Sequence, residues 1–193
     1  MSRPAHAVYY AWHEYLALET SSNVKHEYLD GQIYAMAGGS PDHAALQVAV
    51  PSLLFPQLRA GRCRAHGSDL RVRVLATGLA TYPDVTIICG PRELDPEDKS
   101  SVTNPTVLIE VLSTSTEDYD RGEKFAHYKH IPALRQYVLV SQYERCIEVW
   151  TRDATGIWTS VVSTDGAAAA DLGSIGARLD VRELYEAAAQ GAA

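Results

Sequence analysis

Val107-Leu-Ile-Glu110-Val-Leu112 places an acid inside an otherwise unbroken, largely β-branched apolar run. A run of this length and composition reads as a strand covered on both faces, which leaves Glu110 no water to face. An ionised carboxylate in a dry interior is costly unless it is paired or bound to a metal. Pro83-Asp84-Val-Thr-Ile-Ile-Cys89 is a second such run with Asp84 at its start, and residues 95–104 between the two are a polar loop. If the two strands are neighbours, opposed side chains stand roughly 5 Å apart, a span at which one hard divalent cation bridges two carboxylates.

The chain has 193 residues, 46% hydrophobic and 21% charged. That is enough to bury a sizeable core, and a single domain is expected. The formal net charge of -7 argues against a protein that coats nucleic acid. The charge is uneven, however: residues 59–73 hold five arginines and one aspartate. Cysteines 63, 89 and 146 form no C-x-x-C pair, so neither a disulfide framework nor a cysteine zinc cage is expected, and a reducing compartment fits. The N-terminus lacks the apolar core of a signal peptide and no apolar run is long enough to span a bilayer, which together predict a cytoplasmic protein without membrane contact.

Apolar spacing predicts a short helix over residues 9–19. The segments 26–29 and 32–36 flank Asp30-Gly31, a dipeptide suited to a two-residue hairpin turn. Ser40-Pro41-Asp42 opens a helix whose apolar body runs from Ala44 to Leu58, and Pro51 and Pro56 predict a kink or a second short helix. From Cys63 to Leu75 the alternation of Leu70, Val72 and Val74 with Arg71 and Arg73 describes a half-exposed strand with both arginines on one face. Residues 115–131 read as a helix, and three further strands are expected over 136–140, 146–151 and 158–162. The alanine run 167–170 and the tail from Ala187 are low-complexity and predict nothing.

No dinucleotide-binding, P-loop, zincin or nucleophile-elbow motif is present, so those enzyme classes drop out. Lys124 follows Glu110 by fourteen residues on the next helix, with Tyr128 one turn beyond. Two carboxylates, a hard cation and a lysine are the parts of metal-assisted phosphodiester hydrolysis. As a cleft-facing residue, Lys124 is expected to contribute little to stability. Each residue also has a plainer reading: Asp84 as a loop cap, Glu110 as a structural acid against Arg121, Lys124 as solvated surface, and Glu27 as an exposed hairpin residue. His43 at a helix start can contact a phosphate or satisfy a structural bond, and Arg71 and Arg73 can bind phosphate or simply face water. His127 and His130 lack a third zinc ligand in view.

Pro83-Asp84, Glu110-Val-Leu-Ser-Thr-Ser-Thr and Asp120-Arg-Gly-Glu-Lys124 with Tyr128, in that order, resemble the Uma-two family, classed as endonucleases within the PD-(D/E)XK restriction-endonuclease-like superfamily. The resemblance takes in His26-Glu-Tyr-Leu-Asp-Gly31, the turn from Met36 to Pro41 followed by His43, and Ser68-Asp-Leu-Arg-Val-Arg73. It implies an α/β (α+β) fold, with a central mixed sheet flanked by helices and added antiparallel strands, over residues 12–186. It also implies Mg²⁺ or Mn²⁺ on Asp84 and Glu110, Lys124 as the catalytic lysine, and Glu27 as a further acid. The superfamily lysine normally lies two residues after the second acid; Leu112 stands there, so the role passes to Lys124. The implied activity is metal-dependent hydrolysis of phosphodiester bonds, with DNA as the expected substrate. His43, Arg71 and Arg73 are its candidate nucleic-acid contacts, and a homodimer is allowed. The alternative is a non-catalytic nucleic-acid- or protein-binding module on the same fold.

Overall fold

The computed structural model describes residues 8–36, 38–166 and 169–189. It has a mixed α+β fold. Its main sheet has six strands: β3 (Cys63–Gly67), β6 (Val85–Cys89), β8 (Val107–Leu112), β9 (Gln136–Ser141), β10 (Cys146–Arg152) and β11 (Trp158–Thr164), in the spatial order β11-β10-β9-β8-β6-β3. Only β8 and β9 are parallel, as the intervening helical segment requires; the other pairs are antiparallel. β8 is buried at every position and β6 at all but its last, so both apolar runs lie between two covered faces.

One face of this sheet packs on α2 (Pro41–Leu58), α5 (Val181–Ala188) and a small hairpin of β12 (Ala170–Leu172) and β13 (Ala177–Leu179). The other face packs on the helical segment 117–128 and on a second sheet. That sheet has the order β2-β1-β5-β4-β7, comprising β1 (His26–Leu29), β2 (Gln32–Ala35), β4 (Arg71–Arg73), β5 (Ala80–Thr81) and β7 (Ser101–Val102). The expected hairpin is β1–β2, with Asp30 and Gly31 both at positive φ, 48° and 76°. A third cluster, Tyr15, Tyr28 and Ala80 with Trp12 and Leu16, seats α1 (Trp12–Ser21) on the second sheet.

Four expectations are corrected. The helix from Pro41 runs unbroken to Leu58 despite Pro51 and Pro56. Its buried stripe of Leu46, Ala49, Val50, Leu54 and Leu58 packs on the main core, and that packing outweighs the hydrogen bonds the prolines remove. The stretch from Cys63 to Leu75 is two strands in two sheets, joined by a turn after Gly67, because its halves pair with β6 and β5 respectively. Cys63 and Cys89 form a disulfide across the β3–β6 pair. They are 26 residues apart, so only sheet register could bring them together, and the cysteine pattern no longer argues for a reducing compartment.

The fourth correction concerns Arg71 and Arg73, which do not share a solvent face. Arg71 is only 6% exposed; its guanidinium donates to Ser101 Oγ at 2.7 Å and Tyr82 Oη at 3.0 Å and pairs with Asp98. Arg73 lies 3.8 Å above the Trp12 ring, with Asp95 3.6 Å from its Nε. The face they occupy is covered by α1, which the strand's own alternation does not reveal.

The hairpin β12–β13 and helix α5 arise where the sequence analysis expected nothing. The N-terminal stretch read for a leader and the end of the low-complexity tail lie outside the described residues. Among the described residues no helix is long and apolar enough to cross a membrane.

Arg71→Ala would remove the buried guanidinium that anchors Ser101 and Tyr82 and leave the half-buried Asp98 without its counter-charge. It should cost about 3 to 5 kcal/mol of stability in urea unfolding. A loss below 1 kcal/mol, within the usual surface range, would mean that the guanidinium is not the buried anchor described.

Candidate active site

The β6–β8 register pairs Val85 with Ile109, so one step further Asp84 stands against Glu110. The Asp84 amide donates to Glu110 Oε2 at 3.3 Å, and Asp84 Oδ2 accepts the Val111 amide at 2.7 Å. Two residues on α2, one turn apart, hold the other side of Asp84: Gln47 Nε2 donates to Oδ1 at 2.8 Å, and His43 Nε2 lies 3.3 Å from Oδ2. The helix is fixed at this end by its cap, where Ser40 Oγ accepts the His43 amide. The Asp84 hydrogen bond raises the His43 pKa above its ordinary value, against the opposing effect of burial.

Glu110 is 3% exposed and its Oε1 accepts from Tyr128 Oη at 2.9 Å. The Lys124 ammonium lies 3.0 Å from the same oxygen, 3.1 Å from Asp120 Oδ1 and 3.4 Å from Glu27 Oε1. Glu27 comes from β1 in the second sheet and also accepts from the Thr81 hydroxyl. Asp120 and Lys124 bound a single π-type turn between α3 (Glu117–Tyr119) and α4 (Phe125–Tyr128), a local irregularity common at functional sites. The turn directs both side chains inward, and Tyr137 Oη donates to the Asp120 carbonyl at 3.0 Å.

Asp84, Glu110, Lys124, Glu27 and His43 thus meet in one place, whereas Arg71 and Arg73 belong to a structural layer elsewhere. Arg121 pairs with Glu117 and Glu148, so it does not serve as the partner of Glu110. Lys124 is 5% exposed, a correction to its reading as a cleft-facing residue of little structural weight. Sequence reasoning missed Asp120 and Gln47 as site residues. Their signal was helical spacing: Asp120 lies four residues before Lys124, and Gln47 four after His43.

Burial sets the electrostatics. It drives the Glu110 pKa upward, with the nearby Asp120 and Asp84 adding to the rise and Lys124 opposing it. For Lys124, burial works against the charged form, and the surrounding Glu110, Tyr128, Glu27 and Asp120 outweigh it, so the ammonium keeps its proton well above the usual range. Glu27, Glu110 and Asp120 share that single ammonium, and Asp84 adds a fourth carboxylate alongside.

The donor set fits a hard divalent cation. Glu110 Oε2 accepts only the long bond from the Asp84 amide, and the Asp84 carboxylate has lone pairs beyond those already used. Among the described residues no group of three or more His, Cys, Asp or Glu side chains is set to enclose a metal ion. A cation on Asp84 and Glu110 would therefore complete its shell with water or substrate oxygens, the manner in which Mg²⁺ is usually held.

The His43–Asp84 contact yields a pH prediction. Because the folded pKa of His43 is raised, the contact contributes fully below the ordinary histidine range and is lost as pH rises through the raised value. A proton-detected titration of His43 should give a midpoint above that of an ordinary histidine, and Asp84→Asn should return it toward that value. An unchanged midpoint in Asp84→Asn would show that the pair does not form.

Comparison with known proteins gives the family and the fold. The family model Uma2, described as "Putative restriction endonuclease", matches residues 12–182. Two uncharacterized proteins of Synechocystis sp. (strain ATCC 27184 / PCC 6803 / Kazusa) are similar. The protein slr1290 is 40% identical over 172 residues, covering 89% of each chain, and sll1609 is 31% identical over 145 residues, covering 75% of this chain and 82% of its own. The crystal structure of "a putative nuclease belonging to DUF820" from Anabaena variabilis superposes with a TM-score of 0.70 at 19% identity, over 92% of this chain and 98% of that one. The fold is thus shared with that structure, and on the span of the family match and the identity to the Synechocystis relatives the chain belongs to the Uma2 family.

Proposed function

We propose that the protein is a metal-dependent endonuclease that hydrolyses phosphodiester bonds in DNA, with Mg²⁺ or Mn²⁺ held by Asp84 and Glu110. The observation that carries this reading is the surplus of carboxyl groups: Glu27, Glu110 and Asp120 lie around one lysine, with Asp84 against Glu110, in a largely buried site. Such a surplus is costly for folding alone, and a divalent cation followed by a phosphate offsets it. The family to which the chain belongs supports the same reaction class.

When bound, the cation would supply positive charge that screens the phosphate and makes a water easier to deprotonate. The chain's own residues do the rest. Gln47, His43 and the Val111 amide orient Asp84, while Tyr128 and Lys124 orient Glu110. Lys124, held by Asp120 and Glu27, presents a fixed ammonium that stabilises charge developing on the phosphate as the water attacks and the ester bond breaks.

Wild-type protein should nick plasmid DNA with Mg²⁺ or Mn²⁺ and stop when the cation is chelated. Asp84→Asn and Glu110→Gln should weaken cation binding in calorimetry. Wild-type affinity in both variants would remove the site, and absence of cleavage together with absence of cation binding in the wild type would favour the non-catalytic module.

Lys124→Ala should lower turnover by about two to three powers of ten. Because the lysine is buried among three carboxylates, the variant should also lose about 3 to 5 kcal/mol of stability at neutral pH. Cleavage at the wild-type rate would show that the ammonium plays no part in the reaction.

A further inference from the structure

The end of the main sheet opposite the carboxylates carries a groove of about 510 Å³. It runs across the ends of β3, β6, β8, β9 and β10 and is lined by Arg62, Cys89, Thr106, Arg135, Thr151 and Arg152, among others. From Asp84 to Cys89 is five residues of strand, about 16 Å, so the groove is separate from the acidic site.

The polar lining of this groove is arranged to donate. None of its three arginines lies within 4 Å of a carboxylate among the described residues, in contrast to Arg71, Arg73, Arg121, Arg145 and Arg182. Arg152 makes one long bond, 3.5 Å to the Ile131 carbonyl, and the side chains of Arg62 and Arg135 make no hydrogen bond among the described residues. Thr106 Oγ1 accepts the Cys89 amide at 3.2 Å and Thr151 Oγ1 accepts Gln136 Nε2 at 3.1 Å. Both hydroxyls are therefore already used as acceptors from within the protein, and each can turn its proton into the groove. Arg62 and Arg135 are exposed and Arg152 half-buried, so water solvates all three, and an anion in the groove would give them the counter-charge they lack among the described residues.

An adjoining recess of about 280 Å³ shares Arg62, Cys89 and Ser174 with the groove. Its walls are Leu58, Ile175 and the Cys63–Cys89 disulfide. The Gln57 amide beside it is committed to the backbone of Arg178, so the recess offers apolar contact with Arg62 and Ser174 at its polar edge. The ligand this shape fits has an anionic end on the arginines and a compact apolar body beside it.

We propose that the groove is a binding site for a phosphate-bearing ligand of nucleotide size, independent of the carboxylate site. Guanidinium forks suit phosphate oxygens in a bidentate manner, and the flat face of the base fits the recess.

The test uses the full chain, with inorganic phosphate, adenosine 5′-monophosphate and a 5′-phosphorylated single-stranded dodecamer as probes, in calorimetry and thermal melting. The nucleotide should bind, and more tightly than inorganic phosphate because the recess is filled. Arg135→Gln and Arg152→Gln should each weaken it by roughly tenfold or more, the scale of a hydrogen bond to a charged group. Thr151→Asp, at an exposed strand end and with a carboxylate that can still accept from Gln136, should abolish binding while the protein remains folded in thermal melting; it serves as the second variant should an arginine variant fail to fold. Asp84→Asn should bind as the wild type does, which separates this site from the cleavage reading.

Arginine-dependent binding of the nucleotide alone assigns a free nucleotide as the source, and equal dependence for the dodecamer assigns a strand end; either supports the site. No binding of any probe at millimolar concentration, nucleotide affinity no better than that of inorganic phosphate, or binding undiminished in the arginine and Thr151→Asp variants would overturn it.

Discussion

The ammonium of Lys124 is the point at which the layers of this protein meet. Glu27 reaches it from the second sheet, Glu110 from the centre of the main sheet and Asp120 from the helical turn that also bears the lysine. Each charge alone would be costly in so dry a place, and together they are tolerable because opposite charges at hydrogen-bond distance interact strongly where water is excluded. The contact therefore ties the second sheet and the helical segment to β8. It also gathers more carboxyl groups than one lysine can pair, and the proposed cation site rests on that surplus.

Asp84 owes its position to backbone as much as to side chains. Its carboxylate accepts the Val111 amide of the neighbouring strand, and its own amide meets Glu110, so the two acids are fixed by the register of two interior strands rather than by flexible loops. Helix α2 contributes His43 and Gln47 from its first turns, and its buried stripe presses the rest of the helix onto the main core. Packing in that core thus determines where the outer wall of the site stands.

Charge is divided along the strands of the main sheet. Carboxylates gather where β6 begins and β8 ends, and unpaired arginines gather where β6 ends and β8 begins. The arginines of β4 take no part in either, since Arg71 and Arg73 hold the second sheet to α1 and to the loop bearing Asp95 and Asp98. A basic stripe in the sequence is thereby dispersed: Arg62 goes to the groove, Arg71 and Arg73 to a structural layer, and Arg64 to backbone carbonyls of the preceding turn.

Local chemistry in the sequence determined the two apolar strands with their acids, the Asp30-Gly31 hairpin, the capped start of α2 and the three closing strands, because these depend on side-chain periodicity and turn conformation within a few residues. It also marked Asp84 and Glu110, since a carboxylate in an apolar run needs a partner wherever the strand lies, whereas Lys124 was singled out by the resemblance to the family motif. Only the tertiary structure decided which partner. Arg121 was nearer in sequence to Glu110, yet helical phase turned it outward to Glu148 and turned Asp120 and Lys124 inward. The inward burial of Arg71, the Cys63–Cys89 bond and the persistence of a helix through two prolines were likewise decided by long-range packing and register, for which no short stretch of sequence carries a signal.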